Sequence, residues 1–345
     1  MYKYDLIISL GSGCHMADTL KRLGITEKTY PFDWSDCDGD ASERLLKKCN
    51  LIKNHFKNAL DKKDFVEYHT LEPKTRGVKN IKTGIHYIHD FPWEKSVKDF
   101  FPEFLKKFER RIKRLYEDIN HANNILFVYY DISAVMPLKA AKDAIKILKE
   151  SFPNKKIQLL ILLPLISNPN MKYHKIKAGI KDVSLVACSN RFGDLKTVIF
   201  LLSQVLEQAL GNDYYSFIMG DDIICSGLSF PEETLRWSNA EMAFFRLQTN
   251  LKTEKVCVHI RCIPFVNKKR LTQNVKIMCN GCPIEEVSFN EYRIQTISVT
   301  VPNNNMGSLD FVFEFDNPAS PKELGLSEDD RKIALGFIDA IISEK

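Results

Sequence analysis

The alternation of segments along the chain constrains its fold most strongly. Between residues 4 and 210, short apolar runs of strand length alternate with longer segments whose apolar residues recur at helical spacing. Such alternation predicts a parallel sheet covered by helices. From about residue 213 the pattern changes to period two, as in KVCVHIRC at residues 255–262, with Asn, Gly and Pro turns between the segments. That pattern predicts an antiparallel β-sandwich.

Length and composition fit this division. The chain has 345 residues, of which 44% are hydrophobic and 27% are charged. This length is enough for about two domains, and the composition is that of a globular protein. We therefore predict an α/β domain with a parallel-sheet, three-layer architecture over residues 1–212. A β-sandwich accessory module is predicted over residues 213–345.

Charge, hydropathy and cysteine content limit the classes of partner. The net charge of +5 is modest and spread along the chain, so it gives no argument for nucleic acid. The longest apolar run, residues 157–166, is too short to cross a bilayer, and we predict no transmembrane segment. The chain begins without a leader pattern, and its nine cysteines are odd in number and scattered. We expect a reduced, cytoplasmic protein.

The stretch ISLGSGCHMADTL, residues 8–20, places a thiol after a glycine turn. Gly11 and Gly13 permit a sharp turn between the first strand and a helix, which puts Cys14 at the helix start. Unpaired N–H groups and the helix dipole at that position favour an ionised thiol. Cys14 is therefore a candidate nucleophile. The alternative is a buried structural cysteine beside the turn.

A cysteine nucleophile needs a base, and the base needs an orienting acceptor. His89 ends a strand-like stretch and is our first candidate for the base. Asp90 orients it only if the backbone turns sharply, since adjacent residues on a strand point to opposite faces. Asp33 and Asp131 are alternative acceptors. A hydrogen-bonded structural role explains the pair His86 and His89 equally well.

The stretch YPFDWSD, residues 30–36, gathers three aromatic residues around Asp33. These side chains predict one wall of a pocket for a flat or sugar-like ligand, and a loop pinned to the core is the alternative. The candidate catalytic residues are Cys14, His89, Asp90 and Asp33. The candidate substrate-binding residues are Ser12, Gly13, His15, Phe32 and Trp34.

No metal or nucleotide motif is complete. Cys279 and Cys282 have the spacing of a zinc knuckle, but a second such pair is missing. Asn280 and Gly281 between them form a strong hairpin signal, which explains the spacing without zinc. The glycines after the first strand lack the rest of a P-loop or dinucleotide fingerprint. We predict no metal and no resident cofactor, with acyl-CoA as a candidate acyl donor.

Three motifs resemble those of a known family. They are SLGSGC at residues 9–14, PFDW at residues 31–34 and HD at residues 89–90. Together they resemble a bacterial family of unknown function described as "putative papain-like cysteine peptidases", over roughly the first 210 residues. The resemblance implies a Cys/His mechanism carried by Cys14 and His89.

Two further resemblances concern glycan enzymes. The strand–turn–cysteine opening is similar to that of a capsule-polysaccharide acetyltransferase family, which has Gly-Asn-Cys where this chain has Gly-Ser-Gly-Cys. The C-terminal part resembles a β-sandwich module found with bacterial glycosyltransferases, through Trp237-Ser238-x-x-Glu241, the Asn280-Gly281 turn and residues 319–337. These resemblances imply a glycan or acylated small-molecule substrate and association with polysaccharide-assembly enzymes.

The leading hypothesis is acyl transfer through Cys14 in bacterial surface-polysaccharide biosynthesis. The acceptor is either water, as in a peptidase or amidase, or a sugar hydroxyl. Two alternatives stay open. One is a non-catalytic glycan-binding or scaffold protein, and the other is transfer of a sugar or phosphate-linked group with Asp33 or Asp90 as the base and Cys14 incidental.

Overall fold

The computed structural model describes residues 4–11, 13–70, 74–131, 138–166, 173–176, 179–189, 195–217, 223–303 and 307–345. The chain divides into two compact units, Tyr2–Val205 and Leu206–Lys345. The predicted boundary after residue 212 stays a prediction.

The first unit contains most of the helices. Its elements are β1 (Leu6–Ser9), α1 (His15–Arg22), β2 (Ser35–Cys37), α2 (Ala41–Lys53), β3 (Phe65–Tyr68), β4 (Gly77–Asn80), β5 (Ile85–Tyr87), α3 (Val97–His121), β6 (Asn124–Tyr130), α4 (Leu138–Ser151), β7 (Lys156–Ile166), β8 (Tyr173–Ile176) and β9 (Val183–Ser189). The chain passes into the second unit within α5 (Leu195–Leu210).

A five-stranded sheet forms the centre of the first unit. Its order is β1-β6-β7-β9-β8, in which β8 alone runs antiparallel to its neighbour. Strand β6, NILFVYY, is buried at every position after Asn124, as expected for a strand covered on both faces. The predicted parallel sheet is confirmed.

A second, four-stranded sheet of order β2-β5-β4-β3 was not predicted as a unit. Its strands are antiparallel, and Ser35 at the start of β2 pairs with Tyr87 at the end of β5. The loop before β2 and the segment after β5 therefore lie at the same end of this sheet. That end carries the PFDW and HD motifs.

Helix α3 fixes the segment after β5. Phe91 is buried and stacks on Phe104 of α3, with ring centroids 4.6 Å apart. Phe104 also contacts Tyr87 and Phe65 edge to face, at 5.0 and 5.3 Å. Tyr87 and Phe91, which flank residues 88–90, are therefore both packed against Phe104 of α3.

The second unit is a β-sandwich. Its strands are β10 (Asp213–Ser216), β11 (Ile224–Ser226), β12 (Arg236–Trp237), β13 (Met242–Gln248), β14 (Lys255–Pro264), β15 (Gln273–Cys279), β16 (Cys282–Phe289), β17 (Gln295–Pro302), β18 (Ser308–Phe315) and β19 (Leu335–Glu344). One sheet has the order β10-β19-β14-β17, with β12 also paired to β19, and the other β11-β13-β18-β15-β16. Phe245, Phe313 and Phe337 pack together in its core. The predicted antiparallel architecture is confirmed.

The Cys279–Cys282 segment is a hairpin turn. Asn280 and Gly281 both have positive φ, at 50° and 79°, and the two cysteines pair across β15 and β16. Within the described ranges, no group of three His, Cys, Asp or Glu side chains is arranged to hold a metal ion. No helix in those ranges is long and apolar enough to span a bilayer.

Candidate active site

A glycine turn presents Cys14 at the carboxyl edge of the parallel sheet. Leu10 still donates its N–H to Val128 of β6, at 2.8 Å, and the chain then turns through Gly13, whose φ is 66°. Cys14 is the N-cap residue of α1, with a half-buried side chain. The thiol therefore sits at the positive end of the helix. Ser12, a predicted binding residue, lies outside the described residues.

One face of α1 carries polar groups beside this thiol. Cys14, Asp18 and Lys21 follow the i, i+4, i+7 spacing that places side chains on one face of a helix, and all three are half-buried. The Asp18 N–H donates to the carbonyl of Cys14 at 2.9 Å. The core-facing side of the helix is formed by Met16, Ala17, Thr19 and Leu20.

The first residue of β2, directly after the PFDW motif, is hydrogen-bonded to the glycine turn. Gly13 donates its N–H to the Ser35 carbonyl at 3.1 Å, so this N–H is already used within the protein. Trp34 has a φ of 69°, an uncommon conformation for a bulky residue, and Lys21 Nζ lies 4.4 Å from its ring centroid. Phe32 is buried in the core, which leaves Trp34 as the aromatic residue of this motif nearer the surface.

Asp33 is almost completely buried in this loop, at 3% exposure. Its Oδ2 accepts the Tyr30 N–H at 2.8 Å and so closes the turn. Burial raises the pKa of Asp33 to about 6, although the Tyr30 N–H and the charges of Lys21 and Arg111 act to lower it. The Asp33 carboxyl is therefore partly protonated near neutral pH.

Asp18 lies in the same electrostatic environment as His89. Burial raises the pKa of Asp18, and the charges of Lys21, His15 and His89 act in the opposite direction. Asp18 in turn contributes to the raised pKa of Asp33. The half-buried face of α1 is thus within electrostatic reach of His89 and of Asp33.

Asp90 is directed toward α3. Its carboxyl group is buried, and Oδ1 contacts Lys107 Nζ at 2.7 Å and Arg111 Nη1 at 3.1 Å. Oδ2 has no hydrogen-bond partner among the described residues. His89 itself is exposed. Asp18 is a further acid of this region: the charge of His89 is the smallest of the influences on its pKa, after burial and the charges of Lys21 and His15. Its i+4 spacing from Cys14 could have indicated it in the sequence.

His86 has a hydrogen-bonded structural arrangement. Its Nε2 lies 2.8 Å from Asp38 Oδ1, and its Nδ1 lies 3.0 Å from the hydroxyl of Tyr68. Lys79 also pairs with Asp38. The structural alternative considered for the two histidines therefore describes His86.

Asp131 follows β6 at the same edge of the main sheet. It is 1% exposed and accepts hydrogen bonds from Arg44 Nη1, at 3.2 and 3.3 Å to its two oxygens, and from the Tyr129 hydroxyl at 2.8 Å. Next to it in the chain, Tyr130 packs its ring 5.8 Å from that of His15. Asp131 is thus paired with Arg44, while His15 packs against the end of β6.

Comparisons with known proteins agree with part of this description. A family model described as "Putative papain-like cysteine peptidase" matches residues 5–150, a shorter span than the motifs suggested. An uncharacterised protein of Acanthamoeba polyphaga mimivirus is 26% identical over 163 residues, which are 41% of this chain and 67% of that protein. This relative is viral, whereas the motifs had suggested a bacterial family.

Solved structures are only weakly similar to this chain, as two examples show. A family GH115 4-O-methyl-α-glucuronidase aligns with a TM-score of 0.27 and 14% identity over 38% of this chain, and the chain covers 17% of that protein's length. The CBM36-1 domain of a xylanase from the hindgut metagenome of Trinervitermes trinervoides aligns with a TM-score of 0.28 and 5% identity, over 39% of this chain and 98% of that domain. Cys14 and His89 lie within residues 5–150, the span that the family model matches.

Proposed function

We propose that the protein is a cysteine-dependent enzyme that transfers an acyl group through Cys14. The observation that supports this most directly is the position of Cys14 at the N-terminus of α1, on the same face as Asp18. Asp18 in turn responds to the charge of His89. In the proposal, Cys14 is the nucleophile, His89 the base and Asp18 the acid that orients the base.

In the proposed reaction, His89 takes the proton of the Cys14 thiol and the sulfur attacks the carbonyl carbon of the substrate. The carbonyl oxygen becomes an oxyanion, which N–H groups in the first turn of α1 stabilise. When the carbonyl re-forms, the bond to the leaving group breaks, and that group takes the proton from His89. A second nucleophile then attacks the thioester, gives its proton to His89 and releases the thiol.

As the second nucleophile we favour a sugar hydroxyl, with water giving a hydrolase as the alternative. The half-buried ring of Trp34 supports this choice, because Trp34 directly precedes Ser35, the residue that is hydrogen-bonded to Gly13, and aromatic faces pack against apolar ring faces. The acyl donor in this proposal is acyl-CoA, and the setting is bacterial surface-polysaccharide assembly. Asp18 is a positioning residue for His89.

The test compares Cys14→Ala and Cys14→Ser with Cys225→Ala, which changes another half-buried thiol. We expect both Cys14 variants to lose turnover of acyl-CoA with sugar acceptors and of an activated ester. Iodoacetamide labelling at position 14, located by peptide mass spectrometry, should be absent from both Cys14 variants. In Cys225→Ala, Cys14 should be labelled at the wild-type rate. Full activity in Cys14→Ala would contradict the proposal.

Asp18→Asn tests the positioning role. We expect kcat/KM to fall by at least about tenfold, equivalent to about 1.4 kcal/mol of transition-state stabilisation, with a displaced pH profile. The control is Glu27→Gln, which removes an exposed negative charge that follows α1. A pH profile identical to that of Glu27→Gln would show that Asp18 does not act through His89.

A further inference from the structure

The ammonium group of Lys48 is buried beneath the glycine turn. Lys48 belongs to α2 and is 0% exposed. Its Nζ donates to the Gly11 carbonyl at 2.6 Å and to the Leu10 carbonyl at 3.3 Å. Removing a charged group from water is unfavourable unless such bonds replace its hydration, so a fully buried lysine needs a structural reason.

The turn supplies that reason. Leu10 and Gly11 are buried, and the chain leaves β1 at this point on its way to Cys14. Their carbonyl groups therefore require donors from inside the protein. Lys48 reaches them from α2 and satisfies both. Its length and its several donors fit two adjacent carbonyls better than a shorter polar side chain would.

Lys48 also contacts the second motif loop. Its Nζ lies 5.8 Å from the ring centroid of Phe32, within the range of a cation–π contact. Burial lowers the pKa of Lys48 to about 8, so the ammonium form predominates at neutral pH. The titratable and charged groups that influence its pKa are Cys37 and Asp36 of β2, Asp131 after β6, and Arg44 of α2, and Lys48 in turn influences Cys49.

We propose that Lys48 is a positioning residue for the Cys14 thiol. By bonding the Leu10 and Gly11 carbonyls from the interior, it fixes the turn that presents Cys14 on α1. Lys48 does not touch the substrate. What the positioned thiol then does rests on the proposed function, but the order of the turn and the reactivity of the thiol are measurable without turnover.

The experiment uses Lys48→Met in the full chain, because methionine is unbranched and similar in length but lacks donors. The matched control is Cys49→Ala, the next residue of α2, which is also fully buried and lies in the apolar core. We expect backbone amides of residues 8–20 to exchange hydrogen at least tenfold faster in Lys48→Met. The pH dependence of iodoacetamide alkylation at Cys14 should also be displaced. Cys49→Ala should lower the denaturation midpoint without either change.

A folded Lys48→Met protein with wild-type exchange and an unchanged alkylation profile would overturn the proposal. If Lys48→Met does not fold, Lys48→Gln decides, since its amide keeps donors without charge. For Lys48→Gln, we expect the amide hydrogen-exchange rates of residues 8–20 to lie between those of the wild type and those of an unprotected chain. Exchange at the wild-type rates would contradict the proposal.

The experiments distinguish failure of the proposed acyl-transfer function from failure of the positioning role of Lys48. If the wild-type protein turns over no acyl substrate while Lys48→Met alters exchange and alkylation, the proposed function fails and the positioning role stands. If the wild type turns over substrate and Lys48→Met matches it in kcat, exchange and alkylation, the positioning role fails alone.

Discussion

Burial of Asp33 gives the stability of the protein a measurable pH dependence. The pKa of Asp33 is about 6 in the folded protein, against an ordinary value of 3.8. Between those values the folded state binds more protons than the unfolded state, so stability falls as pH rises through this window. Above pH 6 the full cost is present, at most about 3 kcal/mol at 1.36 kcal/mol for each pKa unit.

Asp33→Asn should remove this cost, because the amide oxygen still accepts the Tyr30 N–H but carries no charge. We expect its free energy of unfolding to exceed that of wild type by about 1–3 kcal/mol at pH 8, and the difference to shrink toward pH 5. Urea denaturation at several pH values measures it. Asp5→Asn is the control, and the pH dependence of its stability difference should have the opposite sign, because the N–H groups of Asn124 and Asn123 lower the pKa of Asp5. A difference independent of pH would contradict the assignment.

At the level of single residues, sequence spacing predicts which side chains share a helix face but not which side chains meet between separate elements. The spacing of Asp18 from Cys14 is visible in the sequence, because both belong to one helix. The partners of Asp90 are not visible, since Lys107 and Arg111 lie on α3 and only the tertiary fold brings them to its carboxyl group. Adjacent residues on an extended segment point to opposite faces, so Asp90 could orient His89 only through a sharp backbone turn, and its carboxyl group instead contacts α3.

The turn between β1 and α1 depends on the left-handed conformation of Gly13. Gly24, just after α1, has nearly the same φ, 67° against 66°, and neither position has close contacts that a methyl group would violate. Gly13→Ala and Gly24→Ala should therefore each lower the free energy of unfolding by about 1–2 kcal/mol. Only Gly13→Ala should change the alkylation rate of Cys14. Equal alkylation rates in the two variants would show that the thiol does not depend on the turn.

Among the secondary-structure elements, long segments were easier to predict than short ones. The seven-residue β6 carries a clear apolar run, whereas β2 has only three residues, too few for a period to be recognised. The three-residue β5 lies within the strand-like stretch before His89. In β19 a register shift against β14 interrupts the period-two pattern. Phe337 before the shift and Ala340 after it therefore both reach the core, which strict alternation forbids.

At the scale of the whole molecule, the β-sandwich unit contains a buried ion pair between Arg261 and Asp339. Asp339 of β19 is fully buried and receives two hydrogen bonds from the Arg261 guanidinium, with Nε 2.6 Å from Oδ1. The Tyr214 hydroxyl donates to the same carboxylate at 3.0 Å. Removing one partner leaves a buried charge uncompensated, which makes this pair far more sensitive to substitution than an exposed one.

Arg261→Met should therefore lower the free energy of unfolding of the sandwich by about 3–5 kcal/mol. The matched control is Arg246→Met, which breaks a more exposed pair with Asp310 in the same unit and should have little effect. Because Arg261 belongs to residues 206–345 and Cys14 to the other compact unit, alkylation of Cys14 in native buffer should stay at the wild-type rate. Scanning calorimetry measures the first effect and peptide mass spectrometry the second. A changed Cys14 rate in Arg261→Met, absent from Arg246→Met, would show that the sandwich contributes to the order of the thiol turn and is more than an accessory module.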